Sequence, residues 1–261
     1  MTTATRPASR AYNPAAARRT SYFAISSAPR YSILFALPLL IGYEALAALL
    51  AHPGKGELRN GADVLLRSAF TAVAGPRGNT IFMAVIILLG VGLVVRDMRR
   101  NRDPLRPGIL ALMLGESAGL AAVFGVVVGV TTAKLLGSLH VLAIAQTPLS
   151  QMSWSMRLMM SLGAGLYEEL FFRVLLVTGI AAGARVVLGF GRRSAGVCAA
   201  VLGAIVFSAF HYIGPYGDPF QIQSFTFRML SGLAFSGLYL LRGFGITAWT
   251  HALYDAFLLL A

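Results

Sequence analysis

Residues 31–51 form an apolar run whose one charged residue is Glu44. A helix needs roughly 20 such residues to cross a bilayer. Runs of similar character recur at about 80–95, 109–130, 156–182, 195–213, 224–241 and 246–261. In lipid the backbone must satisfy its own hydrogen bonds, which leaves helices or closed barrels. Barrel strands alternate apolar and polar residues, and these runs do not. The expected fold is an all-α polytopic integral membrane protein, a bundle of about seven transmembrane helices. The short apolar segment 135–149, with His140 and Pro148, is an interfacial, re-entrant or eighth spanning element. Composition agrees: 57% of residues are hydrophobic and 12% charged, about half the charged share of an ordinary soluble domain.

The polar stretches set the topology. Residues 1–30 are small, polar and basic, with Arg6, Arg10, Arg18, Arg19 and Arg30. This predicts a disordered cytoplasmic tail. Ala45-Leu46-Ala47 resembles a signal-cleavage site, but the run around it is long enough to stay in the membrane as a first helix. A loop is expected over 52–79, rich in glycine and charge, with room for a short interfacial helix. The stretch 96–106 is the most basic short loop and belongs in the cytoplasm by the positive-inside rule. Arg185, Arg192 and Arg193 mark another cytoplasmic loop, which puts the N-terminus inside and the C-terminus outside. Lys and Arg number 22 against 10 Asp and Glu, a net charge of +12. Topology and contact with anionic lipid account for that excess, so no nucleic-acid partner is implied. Cys198 is the only cysteine, which excludes an intrachain disulfide or a cysteine-rich metal site.

Against this apolar background, residues 165–173 read Gly-Leu-Tyr-Glu-Glu-Leu-Phe-Phe-Arg. Three charges near the middle of a span cost about 2.5–3.5 kcal/mol each on an insertion scale unless paired or hydrated. On a helix Glu169 and Arg173 are four apart and can pair. Glu168 points about 100° away, towards the side of Phe172. The expected division is a structural Glu169–Arg173 pair, with Glu168 turned to a cavity. Two further spans carry Phe207-x-x-x-His211 and His251-x-x-x-Asp255, each pair on one helical face. A carboxylate base, two imidazoles and a second carboxylate around one water could hydrolyse a peptide bond without metal. Glu168, His211 and His251 could equally bind Zn²⁺ with one position left for water. The His-Glu-x-x-His zincin pattern and the Gly-x-Ser-x-Gly elbow are both absent.

Taken in order on separate apolar helices, Glu168-Glu169-x-x-x-Arg173, Phe207-x-x-x-His211 and His251-x-x-x-Asp255 resemble the CPBP family. That family comprises type II CAAX prenyl endopeptidases and bacteriocin-processing or bacteriocin-immunity (Abi-like) membrane proteins. The resemblance covers about 150–261, dividing the chain into a tail (1–30), N-terminal transmembrane helices (31–149) and a CPBP-like catalytic core (150–261). It implies an intramembrane endopeptidase in a bacterial inner membrane, acting on a membrane-associated protein or peptide. In that reading Glu168 and His211 activate water, His251 and Asp255 stabilise the oxyanion, and Glu169, Arg173 and Phe207 support the site. Asp255 stands where the prenyl endopeptidases carry Asn, and it donates a hydrogen bond only when protonated; orienting His251 is its other role.

Two competing functions use the same residues. Intramembrane Glu, His, Asp and Arg also build proton relays in transporters, although no inverted repeat accompanies them here. A non-catalytic immunity or sorting protein would keep the fold without needing both histidines. Structural contacts are expected for Glu44 and Glu116, snorkelling for Arg228 and Arg242, interfacial positions for His52 and His140, and packing for Tyr167 and Tyr254.

Overall fold

The computed structural model describes residues 21–51, 58–137, 152–214 and 217–260, and all regular structure among them is helical. Helix α1 (Tyr22–Ser26) starts where the Ser21 hydroxyl accepts the Ala24 N–H. Helix α2 (Pro29–Leu50) starts with a proline in its first turn, where a missing N–H costs nothing. Among the described residues helical structure begins at Tyr22, inside the expected tail, where capping residues punctuate its end.

The short helix for which the expected loop 52–79 left room is α3 (Gly61–Ala74), 14 residues long. Asn60 caps it by accepting the Ala62 N–H, and Asp63 complements the dipole in its first turn. A 3₁₀ turn (Gly75–Arg77) reverses the chain into α4 (Gly78–Arg100). Phe70 of α3 meets Phe82 of α4 at 5.4 Å between centroids, so the two form a hairpin. The C-terminal turn of α4 includes Arg99 and Arg100, so the basic stretch 96–106 is helical in its first half. Basic residues suit that end of a helix.

Helix α5 (Pro107–Leu136) follows, and residues 138–151, with His140, lie outside the described residues, as does His52. The charged span is one continuous rod in three parts: α6 (Trp154–Gly163), a wide π segment (Ala164–Val177) and α7 (Thr178–Val186). Helices α8 (Arg192–Phe210), α9 (Ile222–Arg242) and α10 (Phe244–Leu260) complete the bundle.

Among the described residues, four stretches are long and apolar enough to cross a membrane: Pro29–Leu50, Gly61–Arg100, Pro107–Leu136 and Arg192–Phe210. The remaining three predicted spans are helical too. The rod from Trp154 is interrupted by its charges, α9 carries Gln, Ser, Thr and Arg228, and α10 is short at 17 residues. The π segment and α10 pack into the middle of the bundle, against α2, α3 and α8. Outward faces of the longer helices expose Ile87, Leu88, Leu89, Val123 and Val126, the inverse of a soluble surface and what lipid contact requires. The protein is a polytopic helical membrane protein.

Arg242 and Arg228 do not snorkel. Arg242 is buried and holds Glu116 through Nε and Nη2, both at 2.7 Å, while Tyr22 donates its hydroxyl to the same carboxylate. This bidentate pair pins α1 and α9 to α5. Arg228 pairs with Asp218 in the loop after His211, over the ring of Tyr212. Each arginine had an acid within reach on another element, which sequence spacing does not reveal.

Candidate active site

The site grows from the π segment. A π turn bonds i to i+5 and is wider than an α turn; such turns gather at functional sites. Its end is marked by the Thr178 N–H bonding back to the Arg173 carbonyl. Here the wide turn carries the adjacent carboxylates to different neighbours. Glu168 Oε1 accepts from the Asn60 side-chain amide at 2.8 Å. Glu169 Oε1 meets His251 Nδ1 at 2.6 Å and Arg173 Nη1 at 3.1 Å. Glu169 and Arg173 are 0% exposed. The pair expected from spacing is present, and it is part of a triad, because Glu169 also binds an imidazole 82 residues further along the chain.

Two aromatic rings complete the setting of these charges. The Arg173 guanidinium lies over Phe207 at 4.5 Å and near Phe235 at 5.6 Å, distances at which a desolvated cation is held by the ring faces. Phe235 stacks on His251 with centroids 4.4 Å apart and planes 19° apart. Neither Phe235 nor Asn60 stood out in the sequence. Asn60 carried a usable signal, the N-cap pattern Asn60-Gly61-Ala62-Asp63 ahead of an amphipathic helix. Phe235 had none, being one phenylalanine in an apolar run.

His251 stands between two acids: beyond Glu169 on Nδ1, Asp255 Oδ2 lies 3.7 Å from Nε2. The Asp255 side chain retains 28% exposure, so the site is not sealed on this side. His211 is the residue just past α8. Its Nδ1 is 2.9 Å from the Phe207 carbonyl. A carbonyl only accepts, so Nδ1 carries the proton there and Nε2 is the other proton-exchanging nitrogen. The Phe207 ring touches both imidazoles, at 5.0 Å from His211 and 6.3 Å from His251. Both histidines act electrostatically on the Glu168 carboxylate. The bundle therefore gathers Glu168, Glu169, Arg173, Phe207, His211, His251 and Asp255 from the π segment, the end of α8 and α10.

Close approach of the helices depends on Gly165. A Cβ there would fall 2.6 Å from the Ala252 Cβ and 2.8 Å from its backbone nitrogen. Gly165→Ala is expected to push α10 away from the π segment, at a cost of about 1–3 kcal/mol. Thermal unfolding in detergent reads the loss as a lower Tm, and an unchanged Tm would contradict this packing.

Among the described residues no three His, Cys, Asp or Glu side chains stand together as a metal site. Glu168, His211 and His251 would be the ligands of the zinc alternative, and no step below is routed through a metal. An apolar groove of about 420 Å³ lies between α5 and α10, lined by Gly125, Gly129, Ala133, Tyr254 and Phe257. None of the charged residues of the site lines it.

The family model described as "Rce1-like: Type II CAAX prenyl endopeptidase Rce1-like" matches residues 150–257. Over this segment, which is less than half of the chain, the protein is similar to the Rce1-like family. All seven gathered residues fall inside the match, while Asn60 and the helices before it fall outside. Comparison with curated proteins and with solved structures returned no match. The family so matched is one of CAAX prenyl endopeptidases, and the likeness is confined to this C-terminal segment.

Proposed function

We propose that the chain is a metal-independent intramembrane endopeptidase in which Glu168 and His211 activate water and His251 with Asp255 stabilises the oxyanion. One observation supports this reading: the buried Glu168 carboxylate adjoins the Glu169–His251–Arg173 triad, and the Phe207 ring brings His211 and His251 together beside it, in the segment that matches the Rce1-like model. Glu168 takes a proton as water oxygen attacks the scissile carbonyl. Protonated His251, anchored at Nδ1 by Glu169, offers Nε2–H to the oxyanion as the tetrahedral centre forms. Collapse breaks the C–N bond, and the proton held by Glu168 or relayed through His211 passes to the leaving amine. Asp255, 3.7 Å from Nε2, orients the imidazolium. Arg173 and Glu169 fix His251 without touching substrate.

The substrate is a membrane-associated protein or peptide, and the enzyme is placed in a bacterial cell membrane with its N-terminus in the cytoplasm. Purified protein in liposomes, with His211→Ala and His251→Ala beside wild type, tests the assignment on a lipid-anchored peptide. Both variants are expected to lose turnover, and cleavage at the wild-type rate by either removes that histidine from the mechanism. Exhaustive chelation, with metal analysis of the same sample, is expected to leave turnover intact; loss restored by Zn²⁺ would instead require a metal.

A further inference from the structure

Glu168 meets a second polar cluster, whose charged residues Glu44, Arg59, Asp63 and Arg67 all precede the Rce1-like segment. The cluster forms a ring that leaves the π segment at Tyr167 and returns at Glu168. Tyr167 donates its hydroxyl to Glu44 Oε1 at 2.7 Å. Glu44 is held by Arg67 at 2.6 Å and Arg59 at 3.2 Å. The same two arginines grip Asp63, at 2.6 Å and 3.0 Å. Tyr43 donates to Asp63 at 2.9 Å and accepts the Asn60 backbone N–H at 3.0 Å. The Asn60 side-chain amide closes the ring on Glu168 Oε1 at 2.8 Å. Two carboxylates and two guanidiniums balance within it.

The orientation of the Asn60 side chain follows from its neighbours. Its Oδ1 accepts the Ala62 backbone N–H at 2.9 Å as the cap of α3. A backbone N–H can only donate, so that atom is oxygen and the atom facing Glu168 is the amide nitrogen, a donor. Asn60 is buried, so this donor is not exchanged for bulk water. Gly163 permits the approach: a Cβ there would lie 2.9 Å from the Asn60 Cβ.

We propose that Asn60 is the positioning residue of Glu168, holding one carboxylate oxygen so that the other faces the substrate, and that the N-terminal helices thereby complete the site. The inference rests on the peptidase reading above. A donor fixed to one oxygen holds the carboxylate in the single rotamer from which it takes the proton in the transition state. Its loss therefore falls on kcat and not on substrate binding.

Asn60→Ser and Asn60→Asp separate this role from helix capping, because Ser and Asp both cap well. Neither offers the amide to Glu168; Asp replaces it with a like charge. In liposomes, both variants are expected to lower kcat about 10- to 100-fold, with KM within about twofold and the Asn60→Ser Tm close to wild type. A thermal double-mutant cycle gives a readout that survives poor folding of Asn60→Asp. Adding Glu168→Gln restores a donor–acceptor pair in reversed sense, so the double variant is expected to recover Tm relative to Asn60→Asp. Wild-type kcat in both variants, a parallel fall of kcat, 1/KM and Tm, or additive Tm changes in the cycle would each overturn the inference while leaving the peptidase reading in place. Absence of turnover in the wild type would remove that reading first, and this one with it.

Discussion

Glu168→Gln is expected to lower kcat by about 10²–10⁴-fold, the usual contribution of a positioned general base, with little change in fold. Gln keeps the length and the carbonyl oxygen that accepts from Asn60 at 2.8 Å in the native protein. It cannot take a proton from water. Because Glu168 makes no ion pair with Arg173, which is paired with Glu169, neutralising it strands no buried cation. Tm should therefore stay near the wild-type value as turnover collapses, and steady-state kinetics beside thermal unfolding checks both halves. A proton-coupled transporter would respond differently: the same variant would abolish pH-dependent flux in liposomes.

Glu169→Ala is expected to be the most damaging single change to stability, by about 3–5 kcal/mol. The residue is 0% exposed and binds both Arg173 and His251. Its removal takes from a guanidinium wholly inside the bundle its 3.1 Å carboxylate partner, leaving a long contact to the Gly232 carbonyl, 3.5 Å, and the faces of Phe207 and Phe235. Losing one partner of a buried pair costs far more than the pair contributes net, because the remaining charge keeps its desolvation penalty. His251 loses its Nδ1 anchor at the same time. The yield of monodisperse protein and its Tm in detergent measure the effect; a Tm equal to wild type would show that the triad is not what holds this part of the bundle. The contrast between the neighbours is the point: one substitution spares the fold and stops turnover, the next unfolds the protein.

Much of the architecture was legible because lipid imposes long apolar helices. Runs such as 109–130 and 195–213 needed only length and composition, and they became α5 and α8 with ends moved by a few residues. The residues of the site were legible because charge inside an apolar run is conspicuous. What escaped the sequence was whatever depended on partners from other helices. Helix α3 read only as a short interfacial helix within a loop, because Asp63 and Arg67 make it amphipathic and its apolar face is buried against the π segment and α4. The wide turn at Glu168 and Glu169 was invisible to α-helical spacing, since no local residue pattern separates a π turn from an α turn. The bond between Glu169 and His251 spans 82 positions and exists only because Gly165 lets two helices touch. The arginines at 228 and 242 read as surface anchors until Asp218 and Glu116 were found beside them.

The central claim is that one buried site in this bundle hydrolyses peptide bonds of membrane-associated proteins with Glu168 as the base. The most direct measurement is mass spectrometry of new peptide termini. Wild type and Glu168→Gln would be reconstituted separately in liposomes with the same pool of membrane-associated proteins. The account predicts discrete new termini with wild type and none above background with the variant. The same termini at the same rate with Glu168→Gln, or none with a folded wild type, would contradict it.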